Sequence, residues 1–175
     1  MTRIGIALAF VLGIGVAAAV AGPEQMTEPV RSSADLERIK SLAGRWEGTT
    51  QHASGAQEPA AVEYKLTSGG SAVVETLFPG TPHEMVSVYH DVSGKLAMTH
   101  YCMLGNQPQL RLTGGDSRYV ELSLADSPGI DAAKDQHMHA LTLTWADADH
   151  VTQRWASYRN GKPDETTTIT VSRVR

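Results

Sequence analysis

Cysteine is almost absent from this chain, which has one, Cys102, in 175 residues. A disulfide framework is therefore excluded as the source of stability. Charge is also sparse, because 19% of the residues are charged and 41% are hydrophobic. That balance excludes a disordered, collagen-like or coiled-coil chain and is typical of globular proteins. The net charge of −4 shows no basic excess, so we expect no nucleic-acid partner.

The longest hydrophobic run lies at the N-terminus. Residues 4–21 are uncharged, follow Arg3 and end in Ala19-Val20-Ala21, the small-x-small pattern that a signal peptidase recognises. This pattern predicts a signal peptide over residues 1–21, cleaved after Ala21. A retained membrane anchor is the alternative, but no basic cluster follows the run. We expect a periplasmic or secreted protein without stable membrane insertion and, because no cysteine stands at the junction, without a lipid anchor.

The remaining chain reads as a tether and one domain. Residues 22–31 are polar, contain two prolines and have no hydrophobic period, which predicts a flexible tether. Residues 32–175 then form one domain of ordinary size. It opens with a short helix, since a Ser-x-x-Asp start at Ser32 precedes three apolar residues spaced three apart, and Gly44 stands where a C-terminal cap is expected. Those apolar residues are Leu36, Ile39 and Leu42.

No helical period returns after Gly44, and the chain becomes a series of short alternating segments separated by Gly, Pro, Asp and Asn. Mostly tight turns between them imply antiparallel neighbours. We predict an all-β up-and-down barrel, because closure removes the two exposed edges of an open sheet. A two-sheet sandwich is the alternative. The ten predicted strands are approximately 45–51, 61–67, 72–78, 84–90, 95–103, 109–113, 118–125, 137–145, 151–158 and 165–173.

Both ends of the domain carry a recognisable pattern. Gly44-Arg45-Trp46 opens the first predicted strand after a short helix, and Arg173 stands near the end of the last. This combination resembles the Gly-x-Trp signature of the calycin superfamily, which includes the lipocalins and fatty-acid-binding proteins. The resemblance implies that the indole plugs the closed end of a barrel and that Arg173 packs across it. Four further segments look most like those of exported bacterial lipocalin-like domains with no assigned function, namely residues 68–71, 78–82, 99–102 and 105–108.

The resemblance also bears on cofactors. Among ten-stranded calycins, the haem-binding nitrobindin-like barrels carry a histidine on the last strand. No histidine stands between Glu165 and Arg175, so we predict no cofactor.

Strand alternation predicts which side chains face the interior. If Trp46 points inward, the apolar faces select Tyr64 and Leu66, Leu141 and Trp145, and Trp155, among others. Polar residues on these faces would line a small-molecule pocket. The predicted ligand-binding residues are Tyr64, His100, His139, Gln153 and Trp155, with His137 at the edge of the same face. Gly44, Trp46 and Arg173 are the predicted structural signature.

Two of the predicted strands cannot be oriented in this way. Alternation does not decide which face of the segments 72–78 and 84–90 points inward, so the direction of Glu75 stays open. Glu47 is predicted to point outward. Cys102 falls on the same predicted face as His100, and we expect it to be buried.

The histidines and the cysteine suggest two more specific kinds of chemistry. His137-x-His139 with His100 could hold zinc, but no acidic residue is placed to orient these rings, so we predict no metal site. His100 and Cys102 could form a base and a nucleophile, but about 6.5 Å separates alternate residues on a strand and no third group is evident. No catalytic residue is therefore assigned.

The sequence thus predicts an exported barrel that binds a small, partly apolar molecule without transforming it. One alternative is a barrel enzyme that uses an inward histidine or glutamate, such as His100 or Glu75, for acid-base chemistry. Another is a filled barrel whose outer surface binds a protein.

Overall fold

The computed structural model describes residues 31–175, so the predicted signal peptide and residues 22–30 of the predicted tether lie outside the described residues. Within residues 31–175, one helix, α1 (Ala34–Lys40), precedes ten strands. The strands are β1 (Gly44–Gln51), β2 (Gln57–Thr67), β3 (Ala72–Leu77), β4 (Met85–Val92), β5 (Lys95–Tyr101), β6 (Gln109–Gly115), β7 (Tyr119–Leu124), β8 (His137–Trp145), β9 (His150–Arg159) and β10 (Lys162–Arg173).

The ten strands form one closed antiparallel barrel in chain order. Each strand pairs with its sequence neighbours, and β1 closes the sheet by pairing with both β2 and β10. Closure leaves no unpaired edge strand in the sheet. The structure therefore confirms the predicted up-and-down barrel, and the sandwich alternative is wrong.

The helix is fixed to one end of the barrel. Its N-cap is Ser33, one residue later than predicted, and the Ser33 hydroxyl accepts a hydrogen bond from the backbone N–H of Leu36 at 3.1 Å. Asp91 at the end of β4 accepts two further bonds from Ser33. The three apolar residues predicted for the helix face are fully buried. Gly44 does not cap the helix, which ends at Lys40, but opens β1 with a φ of 125°.

Two arginine–tryptophan pairs close this end. Trp46 is fully buried and its indole N–H donates to the carbonyl of Leu42 at 2.7 Å. The guanidinium of Arg173 lies 4.3 Å from the Trp46 ring centre and donates to the carbonyls of residues 41 and 43. Arg38 of α1 lies 4.9 Å over the ring of Trp145. These contacts join the helix and the residues after it to β1, β8 and β10. The start of the first strand and the end of the last strand are therefore held together at one end of the barrel.

Two residues depart from their predicted burial. Leu66, predicted to face inward, is 42% exposed because it lies at the end of the barrel wall, one residue before the end of β2. Cys102, predicted to be buried on a strand, follows the end of β5 and is half-buried in the turn, where its N–H donates to the carbonyl of Asn106 at 3.2 Å. Partial burial still raises the pKa of the Cys102 thiol.

From residue 31 onward, none of the helices in the structure has the length and apolar character that crossing a membrane requires.

Candidate functional site

A cavity of about 540 Å³ occupies the barrel end opposite α1. This volume falls within the range of small-molecule sites in proteins. Its walls come from eight strands, β1 to β5 and β8 to β10, and from the connection between β3 and β4. The lining side chains are mainly apolar at the base and mixed at the mouth. They are Thr50, His52, Glu58, Pro59, Leu77, Phe78, Thr81, His83, Met85, His100, Met103, Met138, Trp155, Thr167 and Ile169.

His100 and Trp155 are the two nearly buried ring side chains in the cavity wall. His100 on β5 is 1% exposed and Trp155 on β9 is 2% exposed. Their ring centres lie 4.7 Å apart at a tilt of 41°. Nδ1 of His100 lies 3.0 Å from the hydroxyl of Ser87 on β4, whereas its Nε2 is buried without a hydrogen-bond partner. The imidazole is thus held on one side and free on the other.

A hydrogen-bond network fills the interior around these two rings. Trp155 donates its indole N–H to the amide oxygen of Gln153 at 2.8 Å. The amide nitrogen of Gln153 donates to the Tyr64 hydroxyl at 2.7 Å and to one oxygen of Glu75 at 2.6 Å. Tyr89 donates to the other Glu75 oxygen at 3.0 Å. Every polar atom of the Gln153 amide is thereby used, which fixes its orientation.

The network holds a carboxyl group in a fully enclosed position. Burial raises the pKa of Glu75, while hydrogen bonds from its neighbours, including Tyr64 and Ser87, act in the opposite direction. Burial and the negative charge of Glu75 together raise the pKa of Tyr64 and of Tyr89 well above the usual value. Both carboxyl oxygens are held by neutral donors, which makes the network a polar layer inside an otherwise apolar core.

The pKa of His100 is also displaced. Burial lowers it to about 4 from an ordinary value of 6.5. The imidazole is therefore neutral at pH 7, and one of its two nitrogens carries a lone pair.

The structure divides the five predicted ligand-binding residues among three places. His100 and Trp155 line the cavity. Tyr64 and Gln153 point inward but belong to the hydrogen-bond network and not to the cavity wall. His139 lies elsewhere. Ligand contact by any of them stays a prediction.

The predicted inward direction of His139 and His137 is wrong, and a β-bulge is the reason. The register of β8 against β9 shifts between Met138 and Ala140. The extra residue reverses the alternation, so Met138 reaches the cavity instead. His139 stacks on Tyr158 at 3.8 Å between ring centres, and His137 pairs with Tyr158 across the strands. Tyr158 follows the inward Ser157 along β9, which puts this cluster on the outside of the barrel wall, where His137 is nevertheless fully buried.

The inward faces of β3 and β4 were left open by the sequence. Both prove to carry polar residues into the interior: Glu75 and Ser87 stand opposite each other in the register, and Tyr89 pairs with Val73. All four side chains are fully buried. Side-chain size is the signal that could have identified these inward faces. Leu77 and Tyr89 are the largest residues of β3 and β4, and both are buried in the interior. Glu47 is exposed, as predicted, and contacts Arg45.

Among residues 31–175, no cluster of three or more His, Cys, Asp or Glu side chains is arranged to hold a metal ion.

Comparison with known proteins gives the fold. No protein-family model and no curated protein matches the chain. The crystal structure of a protein of unknown function from the DUF3598 family of Nostoc punctiforme is similar, with a TM-score of 0.51 and 16% sequence identity. The match covers 78% of this chain and 49% of that chain, so this chain spans about half the length of that protein. A redesigned β barrel matches with a TM-score of 0.39 and 12% identity, covering 78% of this chain and 95% of its own.

Proposed function

We propose that this protein is an exported, calycin-like barrel that binds a small, partly apolar molecule at the end opposite its helix. The observation that carries the proposal is the cavity of about 540 Å³, whose walls combine apolar side chains with few polar groups. Such a lining is typical of small-molecule sites. The helix-plugged end has tightly packed Trp46 and Arg173, so a ligand would enter from the other end.

Two polar atoms in the cavity wall support the proposal further. Nε2 of His100 and Oγ1 of Thr50 are both buried and have no hydrogen-bond partner in the protein. An unsatisfied buried polar group costs about 1–3 kcal/mol. A ligand that supplies the missing partners would recover part of that cost. This favours a cavity that binds a molecule with polar groups over a cavity that stays empty.

The test compares two substitutions on one strand. Thr167 lines the cavity, whereas Thr170 lies on the exposed outer face of the same strand, β10. We expect N-phenyl-1-naphthylamine, an uncharged probe that fluoresces in apolar sites, to bind the wild type saturably with one site per chain. Thr167→Phe should weaken binding at least about tenfold by filling the cavity, and Thr170→Phe should leave it unchanged.

Either of two results would contradict the proposal. The first is the absence of saturable binding to the wild type. The second is equal binding by the Thr167→Phe and wild-type proteins, which would locate the probe elsewhere. Circular dichroism of both variants checks that the barrel has formed.

A second candidate function is acid-base catalysis in the same cavity. It is favoured by one observation: His100 lines the cavity, its Nδ1 is oriented by Ser87, and its Nε2 is buried without a hydrogen-bond partner. Glu75, the other candidate, does not line the cavity. Native mass spectrometry of the protein purified from its own cells separates the two functions. A single bound mass that survives incubation supports binding, whereas conversion of that mass, lost in His100→Phe, supports catalysis.

Export rests on the predicted signal peptide at residues 1–21. N-terminal sequencing of the protein from periplasm or medium should find Gly22 first. A chain that keeps residues 1–21 in the membrane fraction would instead support the retained anchor.

A further inference from the structure

The orientation of His100 defines the kind of group that the cavity can bind. Its Nδ1 faces the hydroxyl of Ser87 at 3.0 Å. Ser87 in turn stands directly opposite Glu75 on the neighbouring strand, and both side chains are fully buried inside the barrel. The Ser87 hydroxyl therefore lies between a carboxyl group and an imidazole, and it has only one proton to donate.

The carboxyl group takes that proton. Both oxygens of Glu75 already accept hydrogen bonds, from Gln153 and from Tyr89, as expected for an accepting carboxylate. The Ser87 hydroxyl faces the same carboxyl group across the strands and lowers its pKa, which is the effect expected of a donor. Its oxygen is then an acceptor for His100, so Nδ1 carries the imidazole proton. In a neutral ring this leaves the lone pair on Nε2.

The cavity also lacks positive charge. No lysine or arginine stands among the residues that line it, and its one carboxylate, Glu58, stands at the mouth. A ligand carboxylate would find no cation to pair with and would lose its hydration. This composition disfavours anionic ligands such as fatty acids.

We propose that the ligand is an uncharged, largely apolar molecule bearing a hydroxyl, which donates a hydrogen bond to Nε2 of His100. The proposal rests on the binding function proposed above and names the chemical class that this site accepts. The rest of the ligand would pack against the apolar wall formed by Leu77, Phe78 and Ile169.

Three matched ligands test the proposal by isothermal titration calorimetry at neutral pH. Naphthalene supplies the apolar body, 1-naphthol adds a hydroxyl and 1-naphthoate adds a negative charge. We expect 1-naphthol to bind about fivefold to tenfold more tightly than naphthalene, the gain typical of one neutral hydrogen bond. We expect 1-naphthoate to bind more weakly than both.

The variant His100→Phe removes the acceptor but keeps an aromatic ring against Trp155. It should bind 1-naphthol and naphthalene equally. His150→Phe changes an exposed histidine outside the cavity wall and should retain the preference for 1-naphthol.

Nitrogen-15 spectroscopy of the wild-type imidazole gives a measurement that does not depend on a variant. Nε2 of His100 should show the shift of an unprotonated nitrogen and should move on addition of 1-naphthol. A proton on Nε2, or tighter binding of 1-naphthoate, would overturn the assignment. If naphthalene binds as tightly as 1-naphthol, the ligand class is wrong while the binding function stands. If none of the three binds, both fail.

Discussion

Acidification should destabilise the barrel through His100. In the unfolded chain this histidine has an ordinary pKa near 6.5, whereas burial lowers its pKa to about 4 in the folded protein. Between these values the unfolded chain binds a proton that the folded protein does not. The free energy of unfolding should therefore fall as the pH falls from 6.5 to about 4, by about 3 kcal/mol in total. At lower pH both states carry the proton and this contribution stays constant.

Glu75 acts in the opposite sense and must be separated from His100. Burial raises the pKa of this carboxyl group in the folded protein. The folded protein therefore takes up a proton at a pH where the unfolded chain is still ionised, which stabilises the fold as the pH falls toward 4.5. The observed curve of the wild type is the sum of both effects. Only a comparison with a His100 variant isolates the histidine.

Urea unfolding followed by tryptophan fluorescence measures the effect between about pH 7.5 and about pH 4. The wild type should lose about 2–3 kcal/mol more stability over this range than His100→Gln. His83→Gln, which changes an exposed histidine, should follow the wild type. Parallel pH curves for the wild type and His100→Gln would refute the burial of this imidazole in its neutral form.

Three further predictions concern stability and use the same unfolding assay. Trp46→Ala should lower the free energy of unfolding by about 3–5 kcal/mol because it opens a cavity at the closed end, and a loss below about 1 kcal/mol would contradict its role as a plug. Gly48→Ala should cost about 1–3 kcal/mol, since an added Cβ would lie 2.0 Å from the carbonyl oxygen of Thr170, and an unchanged midpoint would show that the strands separate freely. Gln153→Leu should cost about 1–3 kcal/mol by leaving its buried hydrogen-bond partners unsatisfied, whereas Arg154→Leu on the outer face should change little. Equal losses in these two variants would contradict the buried network.

The barrel itself could be predicted from the sequence because its causes are local. Tight turns between alternating segments dictate antiparallel neighbours, and a single sheet of ten such strands is stable only when its edges meet. The helix face also follows from short-range spacing, whereas the inward direction of Trp46 came from the resemblance to calycins. None of these features depends on knowing which distant residue a side chain will contact.

The polar network could not be predicted because its stability comes from distant partners. Glu75 looks like a surface residue when it is read alone, since an unpaired buried carboxyl group is costly. It is tolerated inside because Tyr89 on the next strand and Gln153, 78 positions further along the chain, both donate to it. Alternation of apolar residues therefore fails to identify interior positions wherever two buried polar groups satisfy each other's hydrogen bonds.

The predicted direction of the histidines of β8 was wrong for a different physical reason. Alternation carries a prediction along a strand only while the pairing register is constant. One extra residue between Met138 and Ala140 moves the two histidines to the outer face and brings a methionine to the cavity. Nothing in the local sequence marks the bulge, because it contains neither glycine nor proline.

The network also explains how a cavity can persist beside a tightly packed core. The Trp155 indole is fixed by Gln153, and His100 is fixed by Ser87 and by the Trp155 ring. These side chains hold their positions through contacts on the side away from the cavity, so they do not need a ligand to order them. A ligand would then lose little free energy to rearrangement of the protein. For the same reason, substitutions in the network should weaken both folding and binding, whereas substitutions at the mouth, such as those of His83, should act on binding alone.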